Sequence, residues 1–252
     1  MRCIISCEHA SNRVPRQYTH VFAGKEKVLA SHHAYDPGAA AIARKLAGRV
    51  QASVYLGSVT RLLIDLNRSP SNRKSLYTQY SRMLEQNDRD LLLKKYYHPY
   101  RENIENAVGA IIDKGMPVLH ISLHSFAPVK KGKARKADIG LLYDPARKCE
   151  KDLCVLIVGI LKETLVGIRV RRNYPYLGKT DGFTSYLRKK YSAKLYAGIE
   201  IEINQALLLK KDNKKKKMLN VLGEGVSKVL QVNEFSQLAT TDDSRREAYA
   251  YK

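Results

Sequence analysis

Long apolar runs, cysteine and acidic residues are all scarce in this chain, and each scarcity removes a class of protein. No stretch reaches the roughly 18 consecutive apolar residues that a membrane span requires. The opening MRCIISCEHA lacks the long apolar segment and small-residue cleavage site of a secretory signal, so the expectation is a soluble, cytoplasmic protein. Cys3, Cys7, Cys149 and Cys154 are too few and too irregularly spaced for a disulfide framework, and no pair forms C-x-x-C. Reduced thiols in or near a core are the default. Internal repeats, a Gly-rich phosphate loop, a G-x-S-x-G elbow and a Cys-rich metal knuckle are also missing.

The shortage of acids leaves a formal charge of +21. Such a balance suits nucleic acid or an acidic surface, because Lys and Arg neutralise phosphates and release counterions. Much of it is local, however: residues 210–217 hold six lysines and one acid, with no interleaved aromatic for base stacking. That segment reads as a solvated loop or helix start, and nucleic acid is expected to adhere only non-specifically through the basic surface.

What is present is a chain of 252 residues, 44% hydrophobic and 27% charged, enough for one sizeable α/β domain. The expected division is a domain over 1–232 and a polar, loosely ordered tail over 233–252. The stretch PVLHISLHSFAP (117–128) reads as a buried strand, with Leu119, Ile121 and Leu123 on one face. It delivers His124 to the carboxyl end, where α/β sheets collect ligands, and His124 is the first catalytic or metal-ligand candidate. A rival reading makes His120 and His124 an i, i+4 zinc pair on a helix; on a strand their rings lie roughly 13 Å apart and cannot share one ion.

The same pattern of chemistry beyond a strand recurs along the chain. RCIISC (2–7) runs into Glu8 and His9. Residues 26–33 read as a short helix, and Asp36-Pro37-Gly38 begins a longer one through Arg49, with Asp36 either a plain N-cap or a member of the site. Segments 52–56 and 59–66 read as extended, the second ending in a turn where Arg61 and Arg68 offer planar forks to a carboxylate and Asn67 a neutral donor. Residues 71–86 read as a polar loop covering the site. Residues 88–114 read as helical with a break near Pro99, where His98 is a cap or wall, and 130–136 as a basic loop.

Further strands are expected over 137–143, 168–172 and 197–204, and further helices over 149–164, 183–190 and 218–232. The loop 173–182, which contains Tyr176, has the composition of a pocket lining. In AGIEIEIN, Glu200 and Glu202 share one strand face and three isoleucines the other. The two carboxylates either face solvent at a sheet edge or point into a site, where one could act as a general base. Strands alternating with helices imply a single α/β domain, its central sheet mainly parallel or mixed, with helices on both faces.

The ordered set SCEHASNRVP, AYDPGA, RLLIDLNR, YHPYR, HISLHSF, ADIGLLYD, NYPYLGKTDG and GIEIEINQ resembles the N-formylglutamate amidohydrolase family over about residues 3–205. The resemblance implies a phosphorylase/hydrolase-like fold, similar to zinc carboxypeptidases and aspartoacylase-like deacylases. It implies one divalent metal, zinc, held by His9, His124 and a carboxylate. It further implies substrate gripping by Asn67 and Arg68 with an upstream Arg, and a Glu on a late strand as base, which is Glu202 with Glu200 behind it. The chain departs from the H-x-x-E ligand motif of the carboxypeptidase-like groups, having His9-Ala10-Ser11-Asn12 instead. Asp36 is the expected third ligand and Glu8 the reserve, since a strand would turn Glu8 away from His9.

The expected chemistry is zinc-assisted hydrolysis of an N-formyl or N-acyl amide of a small anionic amino acid. Arg61 would stabilise the oxyanion, and Arg135, Lys136 and Tyr176 would line the substrate wall. A peptidase acting on longer chains and a non-enzymatic basic binding protein are the alternatives.

Overall fold

The structure is a computed structural model that describes residues 1–209 and 213–232. The expected tail over 233–252 and residues 210–212 of the lysine run lie outside the described residues. In chain order the elements are β1 (Arg2–Cys7), α1 (Glu26–Leu29), α2 (Ala39–Val50), β2 (Ser53–Leu56), α3 (Arg73–Leu76), α4 (Gln86–Leu92), α5 (His98–Ile112) and β3 (Val118–Phe126). They continue with β4 (Val129–Lys130), β5 (Lys133–Ala134), β6 (Ile139–Leu142), α6 (Lys148–Thr164), β7 (Val170–Arg172), α7 (Phe183–Lys190), β8 (Tyr196–Asn204), α8 (Gln205–Leu208) and α9 (Asn213–Leu230).

Six strands form one sheet in the order β2-β1-β3-β8-β6-β7, and β4 and β5 form a small hairpin. All neighbours in the large sheet are parallel except β6 and β8. The expected single-domain α/β fold, mixed and mostly parallel with helices on both sides, is what forms. Its central strands β3 and β8 pair over nine residues, in a register that sets Ser122 beside Glu200 and His124 beside Glu202.

Strand alternation then divides the sheet chemically. Cys3, Ile5, Leu119, Ile121, Leu123, Ile199, Ile201 and Ile203 enter an apolar core with α2, α6 and α9. Each buried Leu or Ile there contributes roughly 1.5–3 kcal/mol of transfer free energy. The four cysteines are buried and form no disulfide. The opposite face packs against α5 and α7 through Ile4, Val118, Phe183 and Tyr196, but toward the carboxyl end of β3 and β8 it carries His120, Ser122, His124, Glu200 and Glu202. Among the described residues no helix is long and apolar enough to cross a membrane.

Several expectations about local structure are corrected or refined. Residues 59–66 form turns, not a strand: Thr60 N–H bonds Arg13 O, Arg61 N–H bonds Ala34 O and Asp65 N–H bonds Leu76 O, so the backbone is satisfied by scattered loops instead of a ladder. Leu62, Leu63, Ile64 and Leu66 are apolar because a second cluster, with Tyr18, Phe22, Leu76 and Tyr97, surrounds them.

Asp36 does not cap a helix. Gly38, at φ +82°, begins α2, and the close approach of Leu208 (3.1 Å from where a Cβ would stand) adds to the need for glycine there. Residues 71–86 pack on the second cluster through Leu76, Tyr77 and Leu84 and do not cover the site. The break near Pro99 is a single π turn over Leu93–Tyr97 that joins α4 to α5, with His98 exposed at the start of α5. The lysines 214–217 form the first turn of α9, which begins five residues before the expected start at 218.

Candidate active site

His9 lies two residues past the end of β1, Asp36 three residues before α2, and His124 near the end of β3. The parallel alignment of β1 with β3 puts all three at the same edge of the sheet. One potential ligand atom from each lies within 4.8 Å of the other two, and the two imidazole rings are 5.0 Å apart. His124 Nδ1 is 2.9 Å and His9 Nδ1 3.5 Å from the same oxygen, Asp36 Oδ2.

The far side of each imidazole meets another buried carboxylate. His9 Nε2 donates to Asp65 Oδ1 at 2.7 Å. His124 Nε2 lies 3.1 Å from Glu8 Oε2 and 2.9 Å from Ser122 Oγ, whose own hydroxyl donates to Glu8. A carboxylate behind a histidine fixes the ring and makes the facing nitrogen more basic, which is how metal-ligating histidines are held. Glu8, the reserve third ligand, therefore stands behind His124 and does not line the cavity. β1 has ended at Cys7, so strand alternation no longer dictates where Glu8 points.

Electrostatics agree with the geometry. Burial penalises the Asp36 carboxylate, but Arg61, His9 and His124 outweigh it and hold its pKa well below the usual carboxylate range. Burial also opposes imidazolium at His9 and His124. At His9, Asp65 and Asp36 reverse it, and at His124, Asp36 and Glu8 do, so both pKa values are raised. Two basic nitrogens and a charged carboxylate at one point are a donor set that a divalent cation satisfies in place of protons.

Across the strand pair, Glu202 is 6% exposed and its Oε2 has no hydrogen-bond partner among the described residues. Burial is the largest influence on it, with Asp36 and Glu200 adding repulsion against the pull of His124 and Arg61, and its pKa is pushed up to about 7. Glu200 is engaged, accepting from Thr184 Oγ1 at 2.7 Å. Of the two acids on β8, Glu202 is the one paired in register with His124 and the one with a buried oxygen lacking a partner among the described residues.

A cavity of about 790 Å³ opens over this arrangement, and ten of the sequence-predicted site residues line it: His9, Asp36, His124, Arg61, Asn67, Arg68, Arg135, Tyr176, Glu200 and Glu202. Their surroundings differ. Arg61 bonds Asp36 Oδ1 (2.7 Å), His9 Nδ1 (3.0 Å) and the His32 carbonyl (2.7 Å), so it is fixed at the rim of the ligand group. Asn67 Oδ1 accepts from the Phe183 N–H at 2.7 Å, tying the turn to α7 and leaving only its NH2 facing His124 (3.4 Å) and the cavity. Arg68 donates to the Asp181 carbonyl, and Asp181 in turn accepts from Ser69 N–H and Asn72 Nδ2.

Gly140 lies opposite Glu202 on β6 with the Tyr174 carbonyl only 1.8 Å from where a Cβ would stand. Only glycine lets the 173–182 loop settle there and bring Tyr176 to the cavity. Lys136, expected beside Arg135 on the substrate wall, is exposed and does not line the cavity.

Sequence reasoning assigned no role to Asp65, Ser122, Asp181, Lys130 or the neighbouring His32 and His33. Ser122 was detectable, since it shares the face of His124 two residues away. His120, the rival zinc partner, is buried on that face but bonds Ser6 Oγ and Tyr196 OH, each at 2.8 Å, and stands outside the ligand group.

Comparisons with known proteins follow the same lines. The N-formylglutamate amidohydrolase family matches residues 1–209. The crystal structure of a gene product of Agrobacterium tumefaciens superposes with a TM-score of 0.74 at 26% identity, over 91% of this chain and 92% of that one. An N-formylglutamate amidohydrolase from Ralstonia eutropha superposes with a TM-score of 0.62 at 18% identity, over 97% and 94%, a likeness of fold. No curated protein matches the chain. With a family match that runs from the first strand through the last, the chain belongs to the N-formylglutamate amidohydrolase family of amide-bond hydrolases.

Proposed function

We propose that this chain is a zinc-dependent amidohydrolase that cleaves the N-formyl or N-acyl amide of a small, carboxylate-bearing amino acid, N-formylglutamate among them. The observation that carries the reading is the pairing of His9, Asp36 and His124, two of them backed by buried carboxylates, with an unpartnered Glu202 oxygen across the same cavity. His9, Asp36 and His124 would hold the ion, which when bound supplies Lewis acidity toward water and the amide carbonyl.

The protein's own groups account for the remaining needs. Glu202 accepts a proton from the attacking water as the water oxygen bonds to the carbonyl carbon, and returns that proton to the nitrogen as the C–N bond breaks. The products are a carboxylate, formate when the acyl group is formyl, and a free amine. Arg61 adds positive charge where the carbonyl oxygen becomes an oxyanion. Arg68 carries the substrate carboxylate with help from the Asn67 NH2, and Arg135 and Tyr176 form the outer wall.

Metal analysis of the purified chain, together with hydrolysis of N-formylglutamate and N-acetylglutamate, tests this. The expected result is about one divalent ion per chain, loss of amide cleavage on chelation, and recovery with added zinc. A chain that takes up no divalent ion and cleaves neither substrate overturns the reading.

A further inference from the structure

The cavity is far larger than a formyl group needs, and its outer half has a different chemistry from its inner end. β3 continues past His124 through Ser125 and Phe126 into the β4–β5 hairpin. At about 3.3 Å per residue, Phe126 lies roughly 7 Å beyond His124. The Arg135 guanidinium stands 5.8 Å from the Phe126 ring and 5.3 Å from the Tyr176 ring, and Lys130 Nζ is 5.4 Å from that same Tyr176 ring. This cationic and aromatic wall is thus on the order of 10 Å from the ligand group, out of reach of a formyl substituent.

The hairpin segment 129–136 holds five cations and no acid. Lys133 and Lys136 are what a solvated charge run gives, exposed and off the cavity, whereas Lys130, Lys131 and Arg135 line it. The Arg135 Nε is buried with no hydrogen-bond partner among the described residues. Beside these cations Val129 is 52%, Leu177 51% and Tyr176 42% exposed, apolar surface that an alkyl or peptide chain would cover. Of the acids that line the cavity, Asp36, Glu200 and Glu202 belong to the ligand group and β8, and Asp181 is engaged by Ser69 N–H and Asn72 Nδ2.

We infer that the outer half of the cavity is a second anion-binding subsite, and that the preferred substrate is an N-acyl amino acid whose acyl chain extends past the scissile amide and carries a carboxylate there, as in a short acidic peptide. This rests on the amidohydrolase reading above. Arg68 takes the carboxylate of the amine half, the amide lies at Glu202 and the histidines, and the acyl half runs along Phe126 and Tyr176 to Arg135, Lys130 and Lys131. Arg135 is the specificity-determining residue, since its planar fork is pre-oriented by two rings.

The test is a series of N-acyl glutamates on the zinc-loaded chain: formyl, then succinyl, adipoyl and suberoyl, each carboxylate-terminated chain paired with its methyl-terminated counterpart. The longer carboxylate-terminated chains are expected to exceed their counterparts about tenfold in kcat/KM, chiefly through KM. Arg135→Ala with Lys130→Ala should bring that ratio below about threefold, and Arg135→Glu should favour an amine-terminated chain. If the unaltered chain cleaves N-formylglutamate but discriminates at no length, the subsite is overturned and the amidohydrolase reading stands. If it cleaves none of the series, both fall together.

Discussion

The two faces of the central sheet are built from alternate residues of the same strands, yet they do opposite things. Leu119, Ile121, Leu123, Ile199, Ile201 and Ile203 fill an apolar core against three helices. One position along, His120, Ser122, His124, Glu200 and Glu202 make a polar face, fully buried near the middle of the sheet and open to a cavity at its carboxyl end. The lesson is that a strand side chain inherits its face from its parity and its solvent access from how near the strand end it lies. His120 and His124 share a face, and only the second reaches the cavity.

The contrast can be broken most sharply at Glu202. Glu202→Gln should lower kcat by about 10²–10⁴-fold while the melting temperature holds or rises, because the amide carries no buried charge. The unaltered chain should lose activity as pH falls, since the base must be ionised and its carboxyl sits at about 7. A bound cation draws that value down, so the acid limb lies at or below neutrality. Retention of most of the activity in the amide variant would remove Glu202 from the chemistry.

On the other face, Ile201→Ala should cost about 2–5 kcal/mol of stability by denaturant unfolding, with kcat of the folded fraction near the parent value. A large fall in kcat without loss of stability would mean the faces are not separable.

Asp65→Asn should weaken zinc binding about 10–100-fold in chelator competition, because His9 loses the carboxylate that orients it. Unchanged affinity would reduce Asp65 to a turn residue. The smallest effect belongs to His120, whose pKa burial pushes down to about 4. Between that value and the ordinary value near 6.5 the unfolded chain binds the proton and the folded chain does not, so this contribution is lost as pH falls. The stability gap between the parent chain and His120→Gln should therefore narrow toward acid by about 1 kcal/mol per pH unit. A gap that ignores pH would contradict a buried neutral imidazole.

Much of the frame was readable in advance because it rests on local periodicity. The strands over 2–7, 118–126 and 196–204 and the helices over 148–164 and 183–190 all carry their burial pattern in consecutive residues. The stretch 59–66 misled because an apolar run buried on many sides mimics a buried strand. Asp36 misled in its local role because Asp-Pro-Gly is good helix-start chemistry wherever it occurs, and nothing nearby in sequence reveals that His124 and Arg61 are the groups it meets.

By itself, then, the sequence determined which residue types stand at the ends of strands and which face each strand residue takes, since alternation and turn chemistry act over a few neighbours. Tertiary structure alone decided which groups share one point in space. It made Asp36 a cavity-facing carboxylate and Glu8 a support behind His124, set Asp65 behind His9, and gave one of two equivalent-looking glutamates a buried oxygen with no partner among the described residues. The reason is physical: hydrogen-bond and ion-pair energies depend on separations of a few ångströms between segments far apart in the chain, and strand pairing and loop packing set those separations.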